Sequence, residues 1–253
     1  MRRRRSHRHE EILAILEREG SVRIADLQGR FGLSKVALRM DLADLEQQGA
    51  LIRTFGGAIR AHNGAAEMPY LQRVLSHPEE KQRIGRAAAD LVRDGEIVIL
   101  DTGTTTLEVA RHLAARPSVA AITNDLSIAM EYARQMHPQA HVLGGVLSPL
   151  HACLLGPGTE RALSQVRADR AFLAADAIAG GHVLERSPLV IQVKRAMIRA
   201  AKEVTLVADS SKFGQTGLSP VCDFAPIHRV VTDSGVDPSV LEALRAQTEV
   251  LVV

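Results

Sequence analysis

Aromatic side chains are scarce: the 253 residues include five Phe, two Tyr and no Trp. The core must therefore be filled by Ala, Val, Leu and Ile, which suits helices packed on parallel strands better than an aromatic-rich β-sandwich. Cysteine is nearly absent as well. Cys153 and Cys222 stand far apart and in no CxxC spacing, which argues against a disulfide framework or a zinc site and fits a reducing, cytoplasmic compartment. No run reaches the ~18 uninterrupted apolar residues of a membrane span. The opening arginines lead into no apolar segment of the signal-peptide kind. No clear paired-carboxylate motif stands out in the larger part of the chain, and no metal, cofactor or catalytic set is expected.

The net charge of +2 hides an uneven distribution. Residues 1–60 carry 12 Lys+Arg against 8 Asp+Glu, while the rest of the chain carries 19 against 21. The first segment is the one suited to a polyanion.

Periodicity within that segment predicts three short helices. Ile12, Leu13, Ile15 and Leu16 recur at helical spacing up to Gly20. Ile24, Ala25, Leu27 and Phe31 follow, stopped at Gly32. Ser34 stands where an N-cap is wanted for a third helix over 35–48, closed by Gly49. Leu38, Leu42 and Leu45 share its inner face; Val36, Met40, Ala43 and Gln47 point away, with Arg39 on the flank. Leu51–Thr54, the Phe55-Gly56-Gly57 turn and Ala58–Arg60 predict a two-stranded wing. A turn before a third helix makes a helix-turn-helix whose last helix fits the major groove. Ser34, Lys35, Val36, Ala37, Arg39 and Met40 are then the candidates at the DNA, with Arg53 and Arg60 on its backbone. A three-helix bundle with no DNA role would show the same spacing.

Residues 61–78, with Asn63-Gly64, Pro69 and Pro78, are expected to connect this domain (1–60) to a larger one (79–253). From Glu79 onward apolar runs alternate with helical segments. The runs are 97–100, 121–123, 141–143, 171–173, 204–207, 229–231 and 249–253; the helical segments include 107–115, 126–135 and 190–201. That alternation predicts a mainly parallel sheet covered by helices, an α/β fold. Ligands in such sheets bind beyond the carboxyl ends of strands. The candidate there is Asp101-Thr102-Gly103-Thr104-Thr105-Thr106: a strand end, a glycine that admits an anion, and hydroxyls with helix amides as donors. A hydroxyl-rich turn without ligand is the plainer reading. By default Lys194 is a solvated residue on its helix.

Both halves resemble one family. Ser34, Ala37-Leu38-Arg39-Met40-Asp41-Leu42, Leu45 and Arg53-Thr54-Phe55-Gly56-Gly57-Ala58 are similar to the DNA-binding domain of the DeoR family of bacterial repressors. Lys81-x-x-Ile84-Gly85, Asp101–Thr106, Thr123-Asn124, Gly144-Gly145, Asp169-x-x-Phe172, Lys194-x-x-Met197 and Asp209-Ser210-Ser211-Lys212-Phe213 resemble its effector domain. That domain is related in fold to ribose-5-phosphate isomerase. The resemblance implies a phosphorylated sugar or polyol effector, with its phosphate on Gly103–Thr106. Its hydroxyls would face Asp101, Asn124, Asp176 and Lys194, with Lys212 near the pocket. It also implies operator DNA as partner, and a homo-oligomer, dimer or tetramer, to span paired half-sites. Where the family has Thr, Arg and two Gly, this chain has Ala37, Met40, Ala174 and Ala177. A sugar-phosphate isomerase with an attached DNA-binding module is the alternative function.

Overall fold

The computed structural model describes residues 2–19, 21–47, 50–54, 56–60, 70–215 and 219–253. The chain forms two compact units, Met1–Ser76 and His77–Val253.

In the first unit the elements are α1 (Arg2–Glu19), β1 (Ser21–Arg23), α2 (Ile24–Phe31), α3 (Lys35–Gln47), β2 (Leu51–Thr54), β3 (Gly57–Arg60) and α4 (Tyr70–Leu75). Gly32 ends α2 in the left-handed conformation at φ 65°, its N–H donating to the Gln28 carbonyl, as a glycine just past a helix end should. Ser34 accepts from the Ala37 N–H at 3.3 Å and so opens α3. Leu38, Leu42 and Leu45 are buried against Ile12, Leu16, Ile24 and Leu27. Burying each such side chain stabilises by roughly 1.5–3 kcal/mol.

The wing corrects one expectation, since it has three strands in the order β1-β3-β2, all antiparallel. The added strand pairs through glycine. A Cβ on Gly57 would stand 1.9 Å from the Val22 carbonyl oxygen, and Gly56 (φ 102°) accepts from Ile24 N–H at 2.7 Å. Gly20, Gly49, Phe55 and residues 61–69 of the connector lie outside the described residues. The rest of that connector holds α4, where the sequence reading expected irregular chain.

The second unit runs α5 (Pro78–Ala89), β4 (Ile97–Leu100), α6 (Thr104–Leu113), β5 (Ala120–Thr123), α7 (Leu126–Arg134), β6 (Ala140–Val142), β7 (Val146–Ser148), β8 (Cys153–Leu155), α8 (Pro157–Ser164), β9 (Ala168–Leu173), β10 (Ala177–Ala179), β11 (His182–Glu185), α9 (Pro188–Ala200), β12 (Ala201–Val207), β13 (Ser219–Asp223), β14 (Arg229–Thr232), α10 (Pro238–Arg245) and β15 (Glu249–Val252). Seven strands make one parallel sheet in the order β15-β14-β12-β9-β4-β5-β6. Each arises from one of the apolar runs, and for the five inner strands, β14, β12, β9, β4 and β5, that is what burial on both faces demands.

Alternate residues serve opposite layers. Ile99, Ala171, Leu206 and Val230 pack with α8 and α9 through Leu163, Val193 and Met197. Val98, Leu100, Phe172 and Val231 pack with α5, α6 and α7 through Ile84, Val109 and Ile128. Two smaller antiparallel pieces were not expected, the β7–β8 hairpin and the sheet β10-β11-β13.

From β4 the chain steps outward to β5 and β6, then returns to place β9 on the other side of β4. The β4/β9 boundary is thus where strand order reverses, the position at which open α/β sheets leave a crevice.

Candidate functional site

In the first unit, α3 turns Lys35, Val36, Arg39 and Met40 outward; Val36 is 66% and Met40 58% exposed. Ala37 is half-buried. The exposed face is the one the sequence assigned to DNA. Beneath it Asp41, only 1% exposed, accepts from Arg8 Nε at 2.7 Å, Arg8 Nη2 at 3.0 Å and His9 Nε2 at 3.2 Å. This clamp fastens α3 to α1.

Arg53 on β2 is already engaged. Its Nε and backbone N–H donate to Glu46 at 2.7 and 2.9 Å. Against the upward push of burial, these bonds hold the Glu46 carboxyl below its ordinary pKa. The side chains of Arg60 and of Arg2, Arg3, Arg4 and Arg5 lie outside the described residues.

In the second unit, Asp101 follows β4 and is fully buried. Its Oδ1 accepts from Thr102 N–H at 2.8 Å. Its Oδ2 accepts from Ala174 N–H at 3.0 Å and from Lys194 Nζ. Lys194 is 1% exposed and also donates to the Ala174 carbonyl at 2.7 Å. The solvated default for Lys194 is thereby corrected: α9 turns this lysine into the sheet, and a buried ammonium persists only beside carboxylates. Burial works against its charge, yet Asp101 and Glu185 outweigh that and raise its pKa.

The loop from Thr102 to Thr106 opens α6, three residues earlier than the sequence suggested, and all four threonines are buried. Thr102 Oγ1 donates to Asp125 Oδ2 at 2.8 Å, and Thr106 Oγ1 to the Gly103 carbonyl at 2.8 Å. A Cβ on Gly103 would lie 2.7 Å from the Ala174 methyl. The alanine that departs from the family pattern therefore packs on the glycine that admits it.

Asn124 directly follows β5, donating to the Leu154 carbonyl at 2.9 Å, while its Oδ1 is buried with no hydrogen-bond partner among the described residues. Next to it Asp125 caps α7 through Ser127 and Ile128 N–H, at 2.7 and 3.0 Å. Asp176 follows β9, with its carboxylate 3.9 Å from Arg186 Nε. Lys212 is half-buried in a single 3₁₀ turn (Ser210–Lys212), which a bridge between Ile178 and Phe213 lays beside β10. Asp101, Thr102, Asn124 and Lys194 thus form one hydrogen-bonded group with the 125 and 151–154 segments.

One acid escaped the sequence reading. Glu185, on β11, is 3% exposed and lies 3.7 Å from Lys194 Nζ. Burial pushes it up to about 8, with Lys194 pulling it down and Asp176 adding to the rise. It sits in no motif, and its run gave no strand signal.

Burial pushes Cys153 up to about 12 and Cys222 to about 11, so neither thiol supplies a nucleophile near neutral pH. Among the described residues no group of three or more His, Cys, Asp or Glu could hold a metal ion. No helix among them is long and apolar enough to cross a membrane.

Comparison with known proteins decides the family. The DeoR-like helix-turn-helix domain matches residues 8–65, and the DeoR C terminal sensor domain matches residues 76–234. The chain belongs to the DeoR family. A putative aga operon transcriptional repressor of Escherichia coli O157:H7 is 33% identical over 98% of this chain and 94% of its own length. A glycerol-3-phosphate regulon repressor of Escherichia coli K12 is 29% identical over 95% and 96%. These DeoR relatives are named as repressors, so a transcription regulator, not an isomerase, is the function they support. Ribose 5-phosphate isomerase A from Methanocaldococcus jannaschii overlaps 55% of this chain and 56% of its own at a TM-score of 0.41 and 20% identity, too loose a match to carry an argument.

Proposed function

We propose that this DeoR-family regulator is a cytoplasmic repressor of a sugar or polyol operon, released from its operator by a phosphorylated sugar or polyol. The observation that carries the reading is a buried hydroxyl-rich loop at the sheet's reversal point, in the same chain as an exposed helix braced for DNA. Lys35, Val36, Ala37, Arg39 and Met40, with Ser34 at the helix start, face the major groove; Arg53 and Arg60 meet the backbone. Amides and hydroxyls of Gly103–Thr106 hold the phosphate without a metal. Asp101, Asn124, Asp176 and Lys194 meet the hydroxyls, and Lys212 closes the rim.

The relatives named for the aga operon and the glycerol-3-phosphate regulon favour this class of target. Ligand and DNA then oppose one another through a coupling of ~1–3 kcal/mol, a roughly 5–150-fold change in affinity. The test is a band-shift on the DNA upstream of the chain's own gene, repeated with ribose 5-phosphate, glucose 6-phosphate, glucosamine 6-phosphate and glycerol 3-phosphate. Release by at least one of these, with no aldose–ketose conversion, is expected. A shift that none of them weakens removes the effector assignment; absence of any shift removes the operator assignment.

A further inference from the structure

Charged residues make up 24% of the chain, yet none occurs in the 25 residues from Gln135 to Thr159. A stretch without charge is ordinarily core. Here, from Gln135 to Leu150, only Leu143 is buried, and thirteen of those sixteen residues are exposed. The large apolar side chains exposed in the second unit concentrate there too. Of the eight among the described residues, six, Met130, Met136, Val142, Val146, Leu147 and Leu150, fall within 21 residues; Val146 is 74% and Met136 88% exposed. Scattered apolar residues need no explanation, whereas a run of this kind marks a contact surface.

The backbone adds a second feature. β6 is the last strand of the sheet, and all three of its residues, Ala140, His141 and Val142, are exposed and uncharged. Natural edge strands are ordinarily blunted by charge, proline or cover. The opposite edge, β15, begins with an exposed glutamate, Glu249.

We propose that β6 and the β7–β8 hairpin form the surface on which a second copy of this chain docks. Three considerations select that occupant. Two copies present the same uncharged strip to each other, so a two-fold contact desolvates no charge, and like meets like without repulsion. A free edge can pair antiparallel with its own symmetry mate. The size is also in range. A stable interface takes roughly 20–30 residues from each partner, and the thirteen exposed residues with Met130 supply about half of that number or more.

The same hairpin backs the candidate ligand loop. Leu126 N–H donates to the Ala152 carbonyl and Leu154 N–H to the Asn124 carbonyl, both at 2.9 Å. Thr102 Oγ1 reaches the His151 carbonyl at 3.3 Å. A partner seated on the hairpin therefore shares a hydrogen-bonded frame with Thr102 and Asn124. The use of that frame in regulation rests on the proposed function; the surface itself does not.

The test is sedimentation velocity of the full chain across the micromolar range, for wild type, for Val146→Asp with Leu147→Asp, and for Leu189→Asp. Leu189 is 54% exposed and lies outside the strip. Wild type is expected to associate, the hairpin double variant to dissociate with self-affinity at least tenfold weaker, and Leu189→Asp to behave as wild type. All three side chains being exposed, an unchanged circular dichroism spectrum and Tm would confirm that the fold is kept. A wild type that is monomeric throughout overturns the proposal, and so does a double variant that associates as wild type does. The band-shift above fails or succeeds independently, so the two readings are separable.

Discussion

Arg8 grips both carboxylate oxygens of Asp41, at 2.7 and 3.0 Å, and thereby ties α1 to the underside of α3. His9 reaches the same carboxylate at 3.2 Å. Asp41 is buried, while Arg8 keeps 20% of its side chain exposed. Removing the carboxylate leaves a partly buried guanidinium without its partner, and breaking a buried pair from one side costs about 3 kcal/mol or more. Asp41→Ala should therefore melt the first unit several degrees earlier, and so should Arg8→Ala, which strands the more deeply buried carboxylate with less positive charge beside it. Both should weaken binding to operator and random DNA alike, because they loosen the helix without touching a base. Differential scanning calorimetry paired with band-shifts checks this; a variant with unchanged Tm would mean the clamp is not structural.

The inner strands of the sheet were legible because burial on both faces writes them as continuous runs, and Leu38, Leu42 and Leu45 were legible because one face must be apolar. The short antiparallel pieces were not. β1 contains a single buried residue, Val22, and its pairing is permitted by Gly57, thirty-five residues away. Lys194 was misread for a related reason: helical spacing says which face a residue occupies, and only tertiary packing reveals a carboxylate waiting there. Glu185 left no trace, since its position is fixed by β11 pairing with β10 and β13. The ligand loop was the reverse case. Asp101–Thr106 follows a buried strand and opens a helix, and both halves of that pattern are local.

Gly85 shows what a family glycine does here. It lies within α5, and a Cβ at that position would come 2.4 Å from Glu108 Cβ and 2.9 Å from Val109 N on α6. Alanine is the better helix former by about 1 kcal/mol, so propensity alone predicts a gain from Gly85→Ala. The close approach of the two helices predicts a loss, because backbone cannot yield as a flexible side chain can. We expect a net destabilisation of about 1–3 kcal/mol, read from the urea midpoint of the second unit. A stabilised variant would show that α5 and α6 move apart freely.

The buried carboxyl of Glu185 makes stability depend on pH in an unusual direction. Its folded value, about 8, lies above the ~4.3 of an exposed glutamate. Between those values the folded state holds a proton that the unfolded state has lost, so stability falls as pH rises. The loss begins near pH 5 and is complete above pH 8, at about 1 kcal/mol per unit where no other group intervenes. Asp125, raised chiefly by burial, acts in the same sense. The carboxylates held low by partners, such as Glu96 and Asp169, lose their contribution only at acid pH, where they are protonated. Urea titrations from pH 5.5 to 8.5 should show a declining midpoint, and Glu185→Gln should flatten most of the slope. A slope unchanged in that variant would assign it to other groups.

Thr104 and Thr105 test the loop without disturbing the helix cap, since the hydrogen bond to Gly103 belongs to Thr106. Combining Thr104→Ala with Thr105→Ala should leave operator binding intact and reduce sugar-phosphate release at least tenfold. Release that persists at the wild-type concentration would move the phosphate elsewhere in the sheet.

Arg39 and Arg53 should separate base reading from backbone binding. Arg39 is exposed on α3, and no ion pair holds it among the described residues, so its guanidinium is free to meet a base edge. Arg39→Ala should cost about 1–3 kcal/mol on the operator and little on random DNA. Arg53 starts from a pair with Glu46 at 2.7 Å, whose carboxylate would sit close to any phosphate the arginine contacts. Arg53→Ala should weaken both DNAs equally and lower the slope of log affinity against log salt by about one. Glu46→Gln should do the opposite, strengthening both by removing a negative charge near the phosphates. Titrations at two salt concentrations distinguish these outcomes. Equal losses on operator and random DNA for Arg39→Ala would place it on the backbone, leaving base selection to Lys35 and to the shape of the DNA against Val36 and Met40.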